Sequence, residues 1–235
     1  MPILTFEQLP KDGAARQAEI TINNLVIAGW TGRNKEAMEA HIKELEEIGV
    51  ARPKTTPIFY RGAAELLTTD GAIEVVGDDS SGEVEFVLIA QQGTMWLGVG
   101  SDHTDRKVET QNVSISKQAC AKPVGPQLWA YEEVIDHWDQ LMLRAWAVTG
   151  GDASLYQEGP VTTMLAPEEL IGRYSQHIGG AADGDLADGT LMYCGTLAVI
   201  GGVRPMDAFR IELDDPVLGR KITHEYAVTC LPNEG

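Results

Sequence analysis

Cations are scarce in this sequence: Lys and Arg number 18 against 35 Asp and Glu, for a formal charge of −17. Such an acidic surface repels phosphate backbones, whereas nucleic-acid binding draws on clustered Lys and Arg. Nucleic acid and anionic membranes are therefore set aside as partners. Long apolar runs are missing too, and none approaches the roughly 18 residues that span a bilayer. Met1 to Pro10 has no basic segment leading into an apolar one, which predicts a chain without a signal peptide. Cysteine is limited to Cys120, Cys194 and Cys230, with no CxxC pair. Neither a disulfide framework nor a zinc ribbon is indicated, and a reducing cytoplasm is the expected location. Internal repeats, low-complexity tracts and linkers are absent.

What remains is ordinary globular composition, 43% hydrophobic and 23% charged over 235 residues. That is enough for one domain with its own core. Residues 17–29 alternate and then run apolar, as strands do. Asn34 is placed to cap a helix over Lys35–Ile48, with Met38, Ile42, Leu45 and Ile48 on one stripe and Gly49 at its end. Ile58–Tyr60, Ile73–Val76, Glu83–Ala90 and Met95–Val99 read as strands between turn residues. Val134, Trp138, Leu141 and Ala145 fall at helical spacing and predict a helix over Ala130–Val148. Pro at the start of Pro167–Ser175 suits the first turn of another. Leu191–Gly195, Ala208–Asp214 and Lys221–Thr229 complete the strands. The fold class is α+β, strand-dominated, without the strand–helix alternation of a doubly wound sheet.

Several groups carry potential chemistry. In Gly82-Glu83-Val84-Glu85-Phe86-Val87-Leu88-Ile89, strand geometry sends Glu83 and Glu85 to one face. The later residues are apolar on both faces, so the strand should enter the core. Two carboxylates at the mouth of a buried strand need partners or a hard cation such as magnesium or manganese. The plainer reading is two solvated Glu on an amphipathic strand. Ser101-Asp102-His103-Thr104-Asp105-Arg106 follows the next strand, so Asp102 can reach both Glu across a hairpin; a turn with a surface ion pair fits as well. His41 and Glu44, at i and i+3 on the first helix, are neighbours. They suit either a carboxylate-oriented base or a solvated pair. Arg106, Lys117 and Lys122 gather positive charge. At Tyr193-Cys194-Gly195-Thr196 a strand ends in a Gly-Thr turn, which offers N–H and hydroxyl donors to a carboxylate or is simply a turn.

Taken in order along the chain, these motifs resemble the fumarylacetoacetate hydrolase-like superfamily from about Val26 onward, and more narrowly a short branch of it whose function is unassigned. The family's Glu-x-Glu strand matches Glu83-Val84-Glu85. Its third metal ligand, in an Asn-Asp-x-Ser-Ala-Arg-Asp segment, matches Asp102, and its substrate-facing arginine matches Arg106. Gly-Lys-Ser-Phe followed by Pro-x-Gly-Pro resembles Ser116-Lys117-Gln118 followed by Pro123-Val124-Gly125-Pro126, which makes Lys117 the active-site lysine. Tyr156-Gln157-Glu158-Gly159 and Leu186-Ala187-Asp188-Gly189-Thr190 resemble later family segments. The Thr-Gly-Thr turn matches Cys194-Gly195-Thr196, placing Gly195 and Thr196 at a substrate carboxylate. Asn-Tyr-x-x-His-x-x-Glu resembles His41-Ile42-Lys43-Glu44 without its Asn-Tyr. Asp105, Lys107 and Glu109 replace the family's Ala, Asp and Gln, and Leu197 replaces its final Pro.

The resemblance implies a mixed β-roll or β-sandwich with a few packed helices. It implies one catalytic domain over 1–235, with strands and a lid-like helix in 1–60 and a metal-binding core in 61–235. It further implies Mg2+ or Mn2+ on Glu83, Glu85 and Asp102, with a small anionic 2-oxo or β-diketo carboxylate reacting through an enolate. Lys117 and Arg106 would face the substrate, and His41 with Glu44 would activate water. The expected reaction is C–C hydrolysis of the acylpyruvate or fumarylacetoacetate type. Decarboxylation, tautomerisation or sugar-acid dehydration on the same site is the alternative, and a catalytically inactive small-molecule binder is the reading from another class. A homodimer is expected, with the predicted helix over Ala130–Val148 and Trp129, Trp138 and Trp146 as one possible interface.

Overall fold

Two-residue alternation of apolar and polar side chains decides most of the architecture. In the computed structural model, residues 1–47, 52–181 and 184–234 are described, with the side chains of His41, Glu44, Leu45 and Glu47 outside that set. The main elements are β1 (Ile3–Gln8), β2 (Arg16–Thr21), β3 (Asn24–Gly29), α1 (Lys35–Glu47), β4 (Ile58–Gly62), β5 (Ala72–Val76), β6 (Val84–Gln91) and β7 (Thr94–Ser101). They continue with α2 (Val113–Ala119), β8 (Gln127–Ala130), β9 (Met142–Thr149), β10 (Asp152–Pro160), α3 (Pro167–His177), β11 (Thr190–Thr196), β12 (Ala208–Asp215) and β13 (Arg220–Leu231). No helix among the described residues is long and apolar enough to cross a membrane.

The strands form two large mixed sheets. One runs β2-β1-β8-β7-β6-β11-β3-β4 and the other β10-β9-β12-β13-β5. Strand β6, an interior strand of the first sheet, meets a core cluster on each of its faces. Its even residues Val84, Phe86, Leu88 and Ala90 join Leu143, Ala145, Phe209, Ile211 and Tyr226 of the second sheet in one buried cluster. Its odd residues Val87 and Ile89 join Leu4, Phe6, Ile20, Leu25, Ile27, Leu128, Leu191 and Tyr193 in another. A strand with a core on each face has nowhere to solvate a polar side chain, and Glu85 on the odd face is 2% exposed. The expectation that this strand enters the core is met.

The sequence reading departs from the structure in several places, among them strand β10 and helix α2, which it did not predict. The helix expected over Ala130–Val148 does not form. Tyr131–Glu133 and Ile135–Gln140 are 3-10 turns, and Met142–Thr149 is strand β9. Leu141, Leu143, Ala145 and Ala147 are buried while Met142, Arg144 and Trp146 are only partly so, a period of two that the helical stripe masked. Antiparallel ladders to β10 and β12 on either side fix the extended form. Trp129 and Trp138 are buried within the chain, so they do not offer an intermolecular face. The run 17–29 divides at Ile22–Asn23 into β2 and β3, and strand β1 was not foreseen. Helix α1 does begin as expected: Asn34 Oδ1 accepts the N–H groups of Glu36 and Ala37, both at 3.1 Å, as an N-cap does. Its expected end at Ile48 and Gly49 lies outside the described residues.

Candidate metal centre

The β6–β7 hairpin builds the centre. Gln92 and Gly93 take positive φ of 50° and 75° at its tight turn, as a two-residue hairpin requires. Pairing then sets Glu85 opposite Gly100 and Val84 opposite Ser101. Beyond the last rung, Asp102 N–H donates to Glu83 O at 3.0 Å. One carboxylate of each open strand end thus meets the other, and one oxygen each of Glu83, Glu85 and Asp102 lie within 4.8 Å of one another.

Cations surround this cluster. Lys117, on α2, sits 2.5 Å from Asp102 Oδ2 and 3.4 Å from Glu83 Oε2. Lys122, fully buried, lies 2.8 Å from Asp102 Oδ1 and donates to His103 O at 2.5 Å. Arg106 opens a one-turn helix, Arg106–Glu109, whose cap Asp105 accepts Val108 N–H at 2.9 Å. Its guanidinium reaches Glu83 at 3.0 Å, Glu109 at 2.9 Å and Ser81 at 2.7 Å. Glu85 and Asp102 lie at the bottom, and the partly exposed rim is formed by Glu83, Arg106 and Glu109.

The electrostatics separate the three carboxyls. Burial raises all of them, but Lys117 and Lys122 overcome it at Asp102 and hold that group well below the usual range. Arg106 and Lys117 do the same, less strongly, at Glu83. Glu85 has only the Gly195 N–H, at 2.6 Å. Burial first, then Asp102 and Glu83, push its pKa well above normal. Lys117 is raised despite burial by Asp102, Glu83 and Glu109. Four carboxylates therefore meet three cations, and Glu85 carries the imbalance.

These residues fit a hard divalent cation. Asp102 Oδ1, although in ion-pair reach of Lys122, is buried without a hydrogen-bond partner, which leaves lone pairs to offer. All three donors are oxygens. The 4.8 Å within which they lie does not exceed the widest separation of two oxygens on one ion, about 4.2 to 5 Å for metal–oxygen lengths of roughly 2.1 to 2.5 Å. A divalent charge would also supply what the uncompensated Glu85 lacks.

Gly195 and Thr196 sit at a break in the β6–β11 register. Gly195 has φ of 101°, and a Cβ there would collide with Thr31 Oγ1. Only glycine turns its N–H onto Glu85 at this point. Thr196 Oγ1 donates to Val84 O at 2.8 Å and accepts from Gln157 Nε2 at 2.8 Å. His41 and Glu44 lie on α1, and their side chains are outside the described residues.

Three functional-site neighbours escaped the sequence reading. Gln157, fully buried, accepts Val84 N–H at 2.9 Å and donates to Thr196 Oγ1 and to Leu197 O at 2.6 Å, tying three strands together behind the triad. Its only signal was its place in the segment Tyr156-Gln157-Glu158-Gly159, from which no role was read. His103 and Tyr226, both buried, stand beside Asp102, and nothing in the sequence pairs residues so far apart.

The family model for "Protein of unknown function (DUF2848)" matches residues 28–226. The chain belongs to this family. No curated protein matches the sequence. Among solved structures, members of other groups share its fold. The 2-keto-3-deoxy-D-arabinonate dehydratase complexed with magnesium and 2,5-dioxopentanoate is 17% identical with a TM-score of 0.66, covering 93% of this chain and 77% of that one. Cg1458 with inhibitor is 18% identical with a TM-score of 0.65, covering 92% and 81%. The 4-oxalocrotonate decarboxylase from Pseudomonas putida G7, complexed with magnesium and adipate, is 14% identical with a TM-score of 0.56, covering 89% and 79%. At such identities the likeness is one of fold.

Proposed function

We propose that this protein is a metal-dependent enzyme of the lyase type acting on a small 2-oxo carboxylic acid, on the β-roll scaffold of the fumarylacetoacetate hydrolase-like proteins. The convergence of Glu83, Glu85 and Asp102 under a rim of Lys and Arg carries this reading. A bound magnesium or manganese ion would supply Lewis acidity toward adjacent substrate oxygens. Glu83, Glu85 and Asp102 hold that ion. Lys117 and Arg106 raise the local positive potential, so that in this acidic protein an anionic substrate is drawn to one place. They also stabilise negative charge as it develops on the substrate. Gly195 fixes Glu85, and Thr196 with Gln157 holds the adjoining strand ends still. Lyase chemistry is favoured over hydrolysis because fold neighbours include a dehydratase and a decarboxylase crystallised with magnesium and small carboxylates. A homodimer in the cytoplasm belongs to the same reading.

The test is calorimetric titration of Mn2+ into chelator-stripped wild type and Glu83→Ala. One site is expected in the wild type. Loss of a ligand should weaken it more than the roughly 100-fold that removal of supporting groups produces. A panel of 2-oxo acids assayed with Mn2+ then identifies the reaction. Absence of binding in the wild type, with and without oxalate, would overturn the proposal.

A further inference from the structure

Beside the triad lies a hydrogen-bonded relay that the chemistry proposed above does not use. Tyr226 comes from β13 in the second sheet, and its O–H donates to Ser101 Oγ at 2.7 Å. The same hydroxyl lies 2.9 Å from His103 Nδ1, and while it donates to Ser101 its oxygen accepts from Nδ1–H. The imidazole then carries its proton on Nδ1, and its bare Nε2 accepts from Ser80 O–H at 2.9 Å. At the other end Ser101 Oγ also accepts Glu83 N–H, at 3.2 Å. The relay therefore runs Ser80, His103, Tyr226, Ser101, Glu83 main chain, and its three central side chains are fully buried. The His103 carbonyl is held separately by Lys122.

We infer that Tyr226 and His103 are positioning residues for the metal centre: they hold Ser101, and through it the Glu83 main chain, in the register that makes the triad converge. This rests on Glu83, Glu85 and Asp102 being metal ligands. It also assigns His103 a role other than the one its place beside Asp102 suggests. With both ring nitrogens committed, His103 is neither a fourth ligand nor a base. The second sheet thereby contributes to a site whose ligands all belong to the first. Partners that orient metal ligands are worth roughly 10- to 100-fold in metal affinity.

The experiment is Mn2+ calorimetry, with thermal unfolding of the metal-free protein, on Tyr226→Phe, Ser101→Ala, the double variant, His103→Asn and His103→Leu. Tyr156→Phe serves as the control, because the buried Tyr156 hydroxyl has no hydrogen-bond partner. Tyr226→Phe and Ser101→Ala are each expected to raise the Mn2+ Kd about tenfold or more. The double variant should be no worse than Ser101→Ala alone, since Tyr226 reaches the Glu83 main chain only through Ser101. Asn puts an amide where Nδ1 stood, so His103→Asn should recover most of the affinity that His103→Leu loses, and Tyr156→Phe should change nothing. Folded Tyr226→Phe and Ser101→Ala proteins with wild-type Kd would overturn the inference, as would equal losses in His103→Asn and His103→Leu. If Tyr226→Phe does not fold, Ser101→Ala decides the matter alone. A wild type that binds no Mn2+ would instead overturn the reading of the triad itself.

Discussion

Among the described residues, two clusters of carboxylates with basic partners differ in almost everything but composition. One is Glu83, Glu85 and Asp102 with Lys117, Lys122 and Arg106. The other is Glu158, Glu212 and Asp214 around Arg144, at 2.7, 2.9 and 2.8 Å, with Lys221 3.1 Å from Glu212. The second lies on a ladder of β9, β10 and β12, where Arg144 faces Glu158 on one side and Glu212 on the other. Each acid there finds Arg144 directly, and Glu158 and Lys221 remain about half in water. In the first cluster Asp102 and Lys122 are 1% and 0% exposed, and Glu85 has no cation of its own. Desolvation, and not the number of acids, separates the two clusters. Water weakens Coulomb interactions near the surface, while a buried carboxyl has to be paired, bind an ion or keep its proton.

The contrast can be broken at its strongest point first. Lys122→Met leaves Asp102 buried beside a methionine. Loss of one partner of a buried pair is expected to lower stability by about 3–5 kcal/mol in urea unfolding. A loss under 1 kcal/mol would mean that the two clusters are energetically alike. Asp215 is an intermediate case. It is buried, paired with Arg220 at 3.2 Å and His137 at 3.0 Å, and accepts the N–H groups of Val217 and Leu218. Those backbone bonds, His137 and Arg220 outweigh burial and depress its pKa. A depressed carboxyl stabilises the fold above its unfolded value of about 4 and loses that contribution as pH falls through the folded value. Asp215→Asn should therefore be less stable by about 1–2 kcal/mol at pH 7. Its difference from wild type should shrink below about pH 4, as followed by denaturant midpoints across pH. The smallest effect belongs to Arg144→Met, about 1 kcal/mol or less and weaker still in high salt. A loss comparable to Lys122→Met would show that the outer ladder is as demanding as the buried centre.

Much of this was legible from residues near one another in sequence. The hairpin of β6 and β7 has local registry, so the alternation of Glu83 to Ile89 and the place of Asp102 just past the next strand left the three within reach, and the family resemblance of the motif order singled them out. Lys117 and Arg106 lie only a few residues further on, and Asn34 announced its helix through a cap that acts within three residues. Over Ala130–Val148 the same local reasoning failed, because Val134, Trp138, Leu141 and Ala145 satisfy a helical spacing and are all buried, while the ladders that made part of the segment a strand come from β10 and β12.

The sequence by itself determined the acidic character and the strand-rich class, which follow from composition and from periodicity along short stretches, while the carboxylate set was picked out by the order of its motifs along the chain. Only the tertiary structure decided which of the many acids are desolvated, that Lys122 rather than water answers Asp102, and that Tyr226 reaches His103 across 123 positions. Those are matters of burial and of contacts between distant strands, which the packing of one sheet on the other creates and no local pattern encodes.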